Sequence, residues 1–119
     1  LMTAIKRRRK HQFSFYQKNR DNLNELAPYW RVHAWCQVIE YAVNFCLTKK
    51  STLKNFSSKA LQHARVHKVG KERAKYYQLT LPENTYDKLE LLQELLGCKH
   101  LTETVRIVIN LAASRIFPA

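Results

Sequence analysis

Side chains able both to give and to take hydrogen bonds recur at every second position in two short stretches of this chain. Gln12, Ser14 and Tyr16 alternate with Phe13 and Phe15, and Tyr76, Gln78 and Thr80 alternate with Tyr77, Leu79 and Leu81. Rows of amides and hydroxyls carry no covalent chemistry; they match polar edges, as Gln matches adenine through paired hydrogen bonds. Ahead of the first row runs Lys6-Arg7-Arg8-Arg9-Lys10-His11, with no acid among them. Adjacent cations repel one another, and a phosphate backbone would relieve that repulsion while releasing counterions.

The groupings that would break bonds are missing from the pattern. Two glycines leave no phosphate-cradling loop, and the nine acids form no catalytic pair or triad. His33 and Cys36 stand one helical turn apart, without a third residue to orient them. No enzymatic activity is expected. Cys36, Cys46 and Cys98 are odd in number and lack CxxC spacing, against both a disulfide framework and structural zinc. The nearest ligand pairs, His33 with Cys36 and Cys98 with His100, fall short of the four ligands zinc takes. Neither metal nor cofactor is expected.

Twenty-one Lys and Arg against nine Asp and Glu give a net charge of +12 and a pI near 9.9, which points to DNA, RNA or an anionic surface as partner. With 45% hydrophobic residues the chain can build a packed interior, so it is not a disordered basic tail. No apolar run reaches the roughly 18 to 20 residues of a bilayer span, and the first residues lack a signal-peptide core. A soluble, cytoplasmic protein is expected.

The elements that must position these rows can be read from periodicity. The 119 residues suit one domain, or two very small units sharing a core. Residues 1–11 read as a basic arm. A unit at 12–47 follows: a strand over Gln12–Tyr16, a short helix over Asn19–Ala27 that Pro28 interrupts or restarts, and a helix over Tyr29–Leu47. Residues 48–75 form a basic connector, with Lys49, Lys50, Lys54, Lys59, Arg65, Lys68, Lys71, Arg73 and Lys75 against Glu72. It is partly helical through Leu53, Phe56, Ala60, Leu61 and Ala64, with a break at Gly70. The unit at 76–117 is a strand ending at Pro82, a helix striped by Tyr86, Leu89, Leu92 and Leu96, a stop at Gly97 and a last helix with Thr102 as its N-cap. In that last helix Val105, Ile107, Val108 and Ile109 also fit a strand, while Glu103, Arg106, Asn110 and Leu111-Ala112-Ala113 favour a helix.

Sliding the chain by 66 residues lays Gln12-Phe13-Ser14-Phe15 on Gln78-Leu79-Thr80-Leu81, Asp21 on Asp87, Leu23 on Leu89 and Leu26 on Leu92. A gap of three then places Cys36 on Val105, Ile39 on Val108, Val43 on Ala112 and Leu47 on Ile116. Each unit is too small to bury its own apolar faces. Paired as an antiparallel ribbon, the two strands would satisfy each other's backbone and present one face to four helices.

This order of elements resembles the ribbon-helix-helix family of prokaryotic DNA-binding proteins, the Arc, MetJ and CopG type. The resemblance rests on Tyr77-Gln78-Leu79-Thr80-Leu81-Pro82, the Gly97 break and Leu101-Thr102-Glu103-Thr104-Val105, a segment also similar to part of the macrodomain Ter protein. A tandem in one chain is similar to the origin-of-transfer accessory proteins of conjugative plasmids. The first unit departs from the pattern at Tyr16, at Pro28, at a turn without glycine and at His33 in place of the Thr102 cap.

The resemblance implies a mainly α fold with a two-stranded antiparallel β-ribbon, a single-chain pseudo-dimer whose ribbon enters the major groove of double-stranded DNA. Gln12, Ser14, Tyr16, Tyr76, Gln78 and Thr80 would read bases. Leu101, Thr102 and Glu103, with Arg31, Val32 and His33 as counterparts, would clamp phosphates at helix starts. Arg7, Arg8, Arg9, Lys10 and Lys75, with the connector lysines, would add sequence-independent affinity. The implied role is a repressor or a plasmid transfer, partition or chromosome-organising factor, nucleoid- or plasmid-associated, with higher-order self-association on DNA and an unidentified protein partner left open, and no membrane partner. An antitoxin using the connector against its toxin, and an architectural or RNA-binding protein without sequence readout, are the alternatives.

Overall fold

The two alternating stretches pair with each other. In this computed structural model, which describes residues 8–48 and 56–118, β1 (Arg8–Phe15) and β2 (Lys75–Pro82) form a two-stranded antiparallel sheet. Gln12 stands opposite Gln78, Phe13 opposite Tyr77, Lys10 opposite Thr80 and Ser14 opposite Tyr76. Side chains alternate between faces, so the even-numbered residues of both strands share one face and the odd-numbered ones the other. Phe13, Phe15 and Leu81 on the odd face are fully buried, and Tyr77 and Leu79 pack against the same core. A lone two-stranded sheet is marginal in water, and here helices cover its apolar side.

Those helices are α1 (Gln17–Tyr29), α2 (Trp35–Thr48), α3 (Ser58–Ala64), α4 (Glu83–Leu96) and α5 (Leu101–Ile116). The protein is thus mainly helical around a two-stranded ribbon. Its centre is α5, which packs against all four other helices; apart from Arg106, every residue from Thr104 to Ala113 is buried. A helix enclosed on all sides has no polar face to reveal its period, which is why Val105, Ile107, Val108 and Ile109 also fit a strand by composition. No helix among the described residues is long and apolar enough to cross a membrane.

Several expected boundaries move. The strand begins at Arg8 rather than Gln12, because pairing continues to Pro82; Arg8, Arg9, Lys10 and His11 belong to the ribbon and not to an arm, and residues 1–7 lie outside the described part. Tyr16 is not in the strand but caps α1. Pro28 neither interrupts nor restarts that helix; it sits in the last turn. The second helix starts at Trp35 rather than Tyr29. His100, not Thr102, caps α5, its carbonyl accepting from the Thr104 amide (3.2 Å) and hydroxyl (3.2 Å).

The shift of 66 residues persists without the expected gap. Gln17 and Glu83 start α1 and α4, and Trp35 and Leu101 start α2 and α5, each pair 66 apart. Between the helices, the Val32 amide donates to the Ala27 carbonyl (3.0 Å) and Arg31 to Pro28 (3.1 Å); Cys98 donates to Gln93 (3.0 Å) and Gly97 to Glu94 (3.1 Å). These are two copies of one Schellman turn. Arg31 takes the left-handed conformation at φ 56°, as Gly97 does at φ 69°. The ungapped shift lays Ile39 on Val105, Val43 on Ile109 and Asn44 on Asn110. A slip of three lands apolar on apolar again in any amphipathic helix, which is what made the gap attractive.

Candidate nucleic-acid interface

The even-numbered face of the ribbon carries Arg8, Lys10, Gln12 and Ser14 from β1, and Tyr76, Gln78 and Thr80 from β2. Arg8, Lys10, Gln12, Tyr76 and Gln78 are exposed, Thr80 is half-buried, and no acid stands among them. Gln12 and Gln78, facing each other across the strands, form the middle of this row. Helices hold both ends of the ribbon from beneath. The Arg20 guanidinium donates to the Phe15 carbonyl (2.7 Å), and the Tyr86 hydroxyl donates to the Arg9 carbonyl (2.8 Å); Arg20 and Tyr86 are themselves 66 apart.

Two residues expected to read bases are placed otherwise. Ser14 is only 9% exposed: Arg106 donates to its carbonyl from Nε (2.8 Å) and to its hydroxyl from a terminal nitrogen. The Tyr16 ring lies off the strand under the Arg106 guanidinium (5.0 Å to the centroid) and stacks on His67. Arg106 was not foreseeable from spacing, because 92 residues separate it from Ser14. Burial lowers its pKa, and the charge of Glu103 acts in the opposite sense.

The basic residues divide by parity. Arg9 is on the odd face, its guanidinium over the Tyr86 ring (4.1 Å) and 3.6 Å from a Glu83 oxygen; it ties β1 to α4. Arg8 and Lys10 share the face of Gln12, so the alternation of Gln12 and Ser14 continues four residues towards the N-terminus, a signal carried by charged side chains. Arg7 lies outside the described residues, as do Lys49, Lys50 and Lys54. Lys75 is exposed at the start of β2, opposite Phe15. Lys59, Arg65, Lys68, Lys71 and Arg73 are exposed on the connector, with Arg65 donating to the Leu96 carbonyl at the end of α4 (2.6 Å).

Compared with protein-family models, curated proteins and solved structures, the chain finds no match.

The two expected phosphate clamps differ. Leu101, Thr102 and Glu103 form the first turn of α5, where backbone amides have no intrahelical acceptor. In the first unit, His33 and Arg31 precede the helix, and the Gln37 side-chain oxygen accepts from the His33 (3.4 Å) and Ala34 (3.3 Å) amides. A polar seam runs behind the ribbon. Asn110, 3% exposed, accepts from Asn22 (2.8 Å) and Asn19 (3.1 Å) and donates to the Ala64 carbonyl (3.0 Å) and to His67 Nδ1 (3.0 Å). At the positions 66 residues away, Lys88 donates to Asn44 (2.7 Å). Burial, then the charges of Arg106 and Lys18, push His67 down to about 4, against a smaller opposing effect of Glu103. The Glu72 carboxylate accepts from the Gln17 amide at the start of α1 (2.6 Å), fastening the connector there.

Among the described residues no cluster of three His, Cys, Asp or Glu is placed to hold a metal ion. Cys46 is buried and its thiol pushed up to about 12, the behaviour of a core residue rather than a nucleophile.

Proposed function

We propose that this protein is a sequence-specific double-stranded DNA-binding protein that lays its β1–β2 ribbon in the major groove, as a single-chain pseudo-dimer of the ribbon-helix-helix kind. The observation that carries the reading is the register: Gln12 faces Gln78 at the centre of a largely exposed, acid-free face with Lys10 and Arg8 at one end, whose reverse side packs Phe13, Phe15 and Leu81 into the core. A two-stranded ribbon fits a groove about 12 Å wide, and glutamine reads adenine by two hydrogen bonds. The duplicated turn, the buried pairs Leu23 with Leu89 and Leu26 with Leu92, and the matched bonds Asn22 to Asn110 and Lys88 to Asn44 support the pseudo-dimer. First-turn amides of α5 would take one phosphate, and the exposed connector cations would add affinity without sequence preference. A repressor, a plasmid transfer or partition factor and a chromosome-organising protein all use such a contact.

The test is selection of bound sequences from random duplex DNA. The wild type enriches a short motif, and Gln12→Ala with Gln78→Ala lowers discrimination at its central base pairs about 10-fold or more, leaving affinity for random duplex in place. Enrichment of no sequence would instead indicate an architectural role.

A further inference from the structure

The outward face is nearly two-fold at its centre and lopsided at its ends. Under the shift of 66 residues Gln12 corresponds to Gln78 and Ser14 to Thr80, but Lys10 corresponds to Tyr76 and Arg8 to Ala74. The register gathers both cations at one end, opposite Thr80 and Pro82. At the other end stand Tyr76, 70% exposed, and Ser14, whose hydroxyl Arg106 already occupies. Arg9 lies between the two cations in sequence but on the reverse face, held by Glu83 and Tyr86. Among the described residues no carboxylate forms an ion pair with Arg8 or Lys10.

The dimensions convert this into base pairs. Same-face neighbours on a strand are about 6.8 Å apart, close to two base-pair steps of about 3.4 Å. Lys10 and Arg8 therefore lie about two and four base pairs from the glutamine pair. Arg and Lys match the O6 and N7 acceptors of guanine. Tyr76 offers a ring and one hydroxyl, with no charge for that edge.

Resting on the DNA-binding reading above, we infer that the target is directional: a near-symmetric centre flanked on one side only, two to four base pairs out, by guanine taken by Lys10 and Arg8. The protein then sits on its site in one orientation. Charge that would otherwise serve any phosphate is committed to one half of the sequence.

Symmetrising variants test this, because each end can be given the residues of the other. Selection with the wild type yields a motif with guanine enriched on one side. Arg8→Ala with Lys10→Tyr copies the Tyr76 end and yields a palindromic motif without that guanine. Ala74→Arg with Tyr76→Lys yields guanine on both sides. Placing 7-deazaguanine, which lacks N7, in the cationic half weakens wild-type binding about 10-fold, and the same change in the other half has no effect. All four substituted side chains lie on the ribbon or at its edge, and thermal melting checks that each variant folds. A palindromic wild-type motif, or a motif unchanged by Arg8→Ala with Lys10→Tyr, overturns directionality while leaving sequence-specific binding in place. No enriched motif at all overturns both.

Discussion

Replacing Arg31 by glycine is expected to stabilise the protein, and the reverse exchange at Gly97 to destabilise it. Arg31 sits at φ 56° in the turn between α1 and α2, where Gly97 sits at φ 69° between α4 and α5. A left-handed conformation costs a residue with a Cβ roughly 1–2 kcal/mol, whereas glycine's extra freedom in the unfolded chain returns about 0.4–1 kcal/mol. Arg31→Gly should therefore gain about 0.5–1 kcal/mol, raising Tm by roughly 2–4 °C for a chain of this size. Gly97→Ala should lose about as much. A Cβ built on Gly97 meets nothing within 4 Å, so the loss isolates backbone strain from crowding. Urea denaturation gives both values, with an unchanged m-value as the check that only stability moved. If Arg31→Gly destabilised the protein, or Gly97→Ala were neutral, the two turns would not be the same motif and the helices of the two halves would not correspond residue by residue.

Other measurements probe the seam behind the ribbon. Asn110→Ala, which orphans the amides of Asn19 and Asn22 and the Ala64 carbonyl in a buried site, should cost about 2–4 kcal/mol, against about 1 kcal/mol for Asn44→Ala, where Lys88 reaches water; equal losses would refute the network. His67 has its pKa pushed down to about 4 from an unfolded value of 6.5, so its contribution is complete above pH 6.5 and declines as pH falls towards 4. The full shift corresponds to about 3 kcal/mol; with the ring partly exposed, about 1–2 kcal/mol is expected. Denaturation at pH 7 and pH 4.5 measures it. A pH-dependence unchanged in His67→Phe would show that other groups produce it.

Much of this architecture is legible in the residues, for reasons that also mark where reading stops. Alternation over Gln12–Phe15 and Tyr77–Leu81 is a local signal, and it assigned Phe13, Phe15 and Leu81 to the core side where they are buried. Gly97 announced a helix end because glycine alone enters the left-handed region freely. Arg31 announced nothing, since arginine has no preference for that region, and so the residues of the matching turn fit the first turn of a helix expected to start at Tyr29. Arg8 to His11 looked like a tail because charge masked the alternation that places Arg9 inward and Lys10 outward. Ser14 looked available for DNA because nothing local foretells that Arg106, from the far end of the chain, closes on it. The residues of α5 mark it as a helix, but Thr102, the better capping residue by type, lies in its first turn, and His100 holds the extended geometry of the N-cap.

Both strands of the ribbon come from one polypeptide, and this has a kinetic and a thermodynamic consequence. A reader assembled from two separate chains empties its site on dilution, because the free chains must meet before either can grip DNA. Here the second strand is supplied at fixed effective concentration by the connector, itself fastened to α1 through Glu72 and to α4 through Arg65. If the ribbon reads DNA as proposed, occupancy of a target rises hyperbolically with protein concentration, with no loss on dilution from separating strands. On the proposed reading, a substitution away from the central glutamines, at Lys10 or at Tyr76, would alter one end of the target alone.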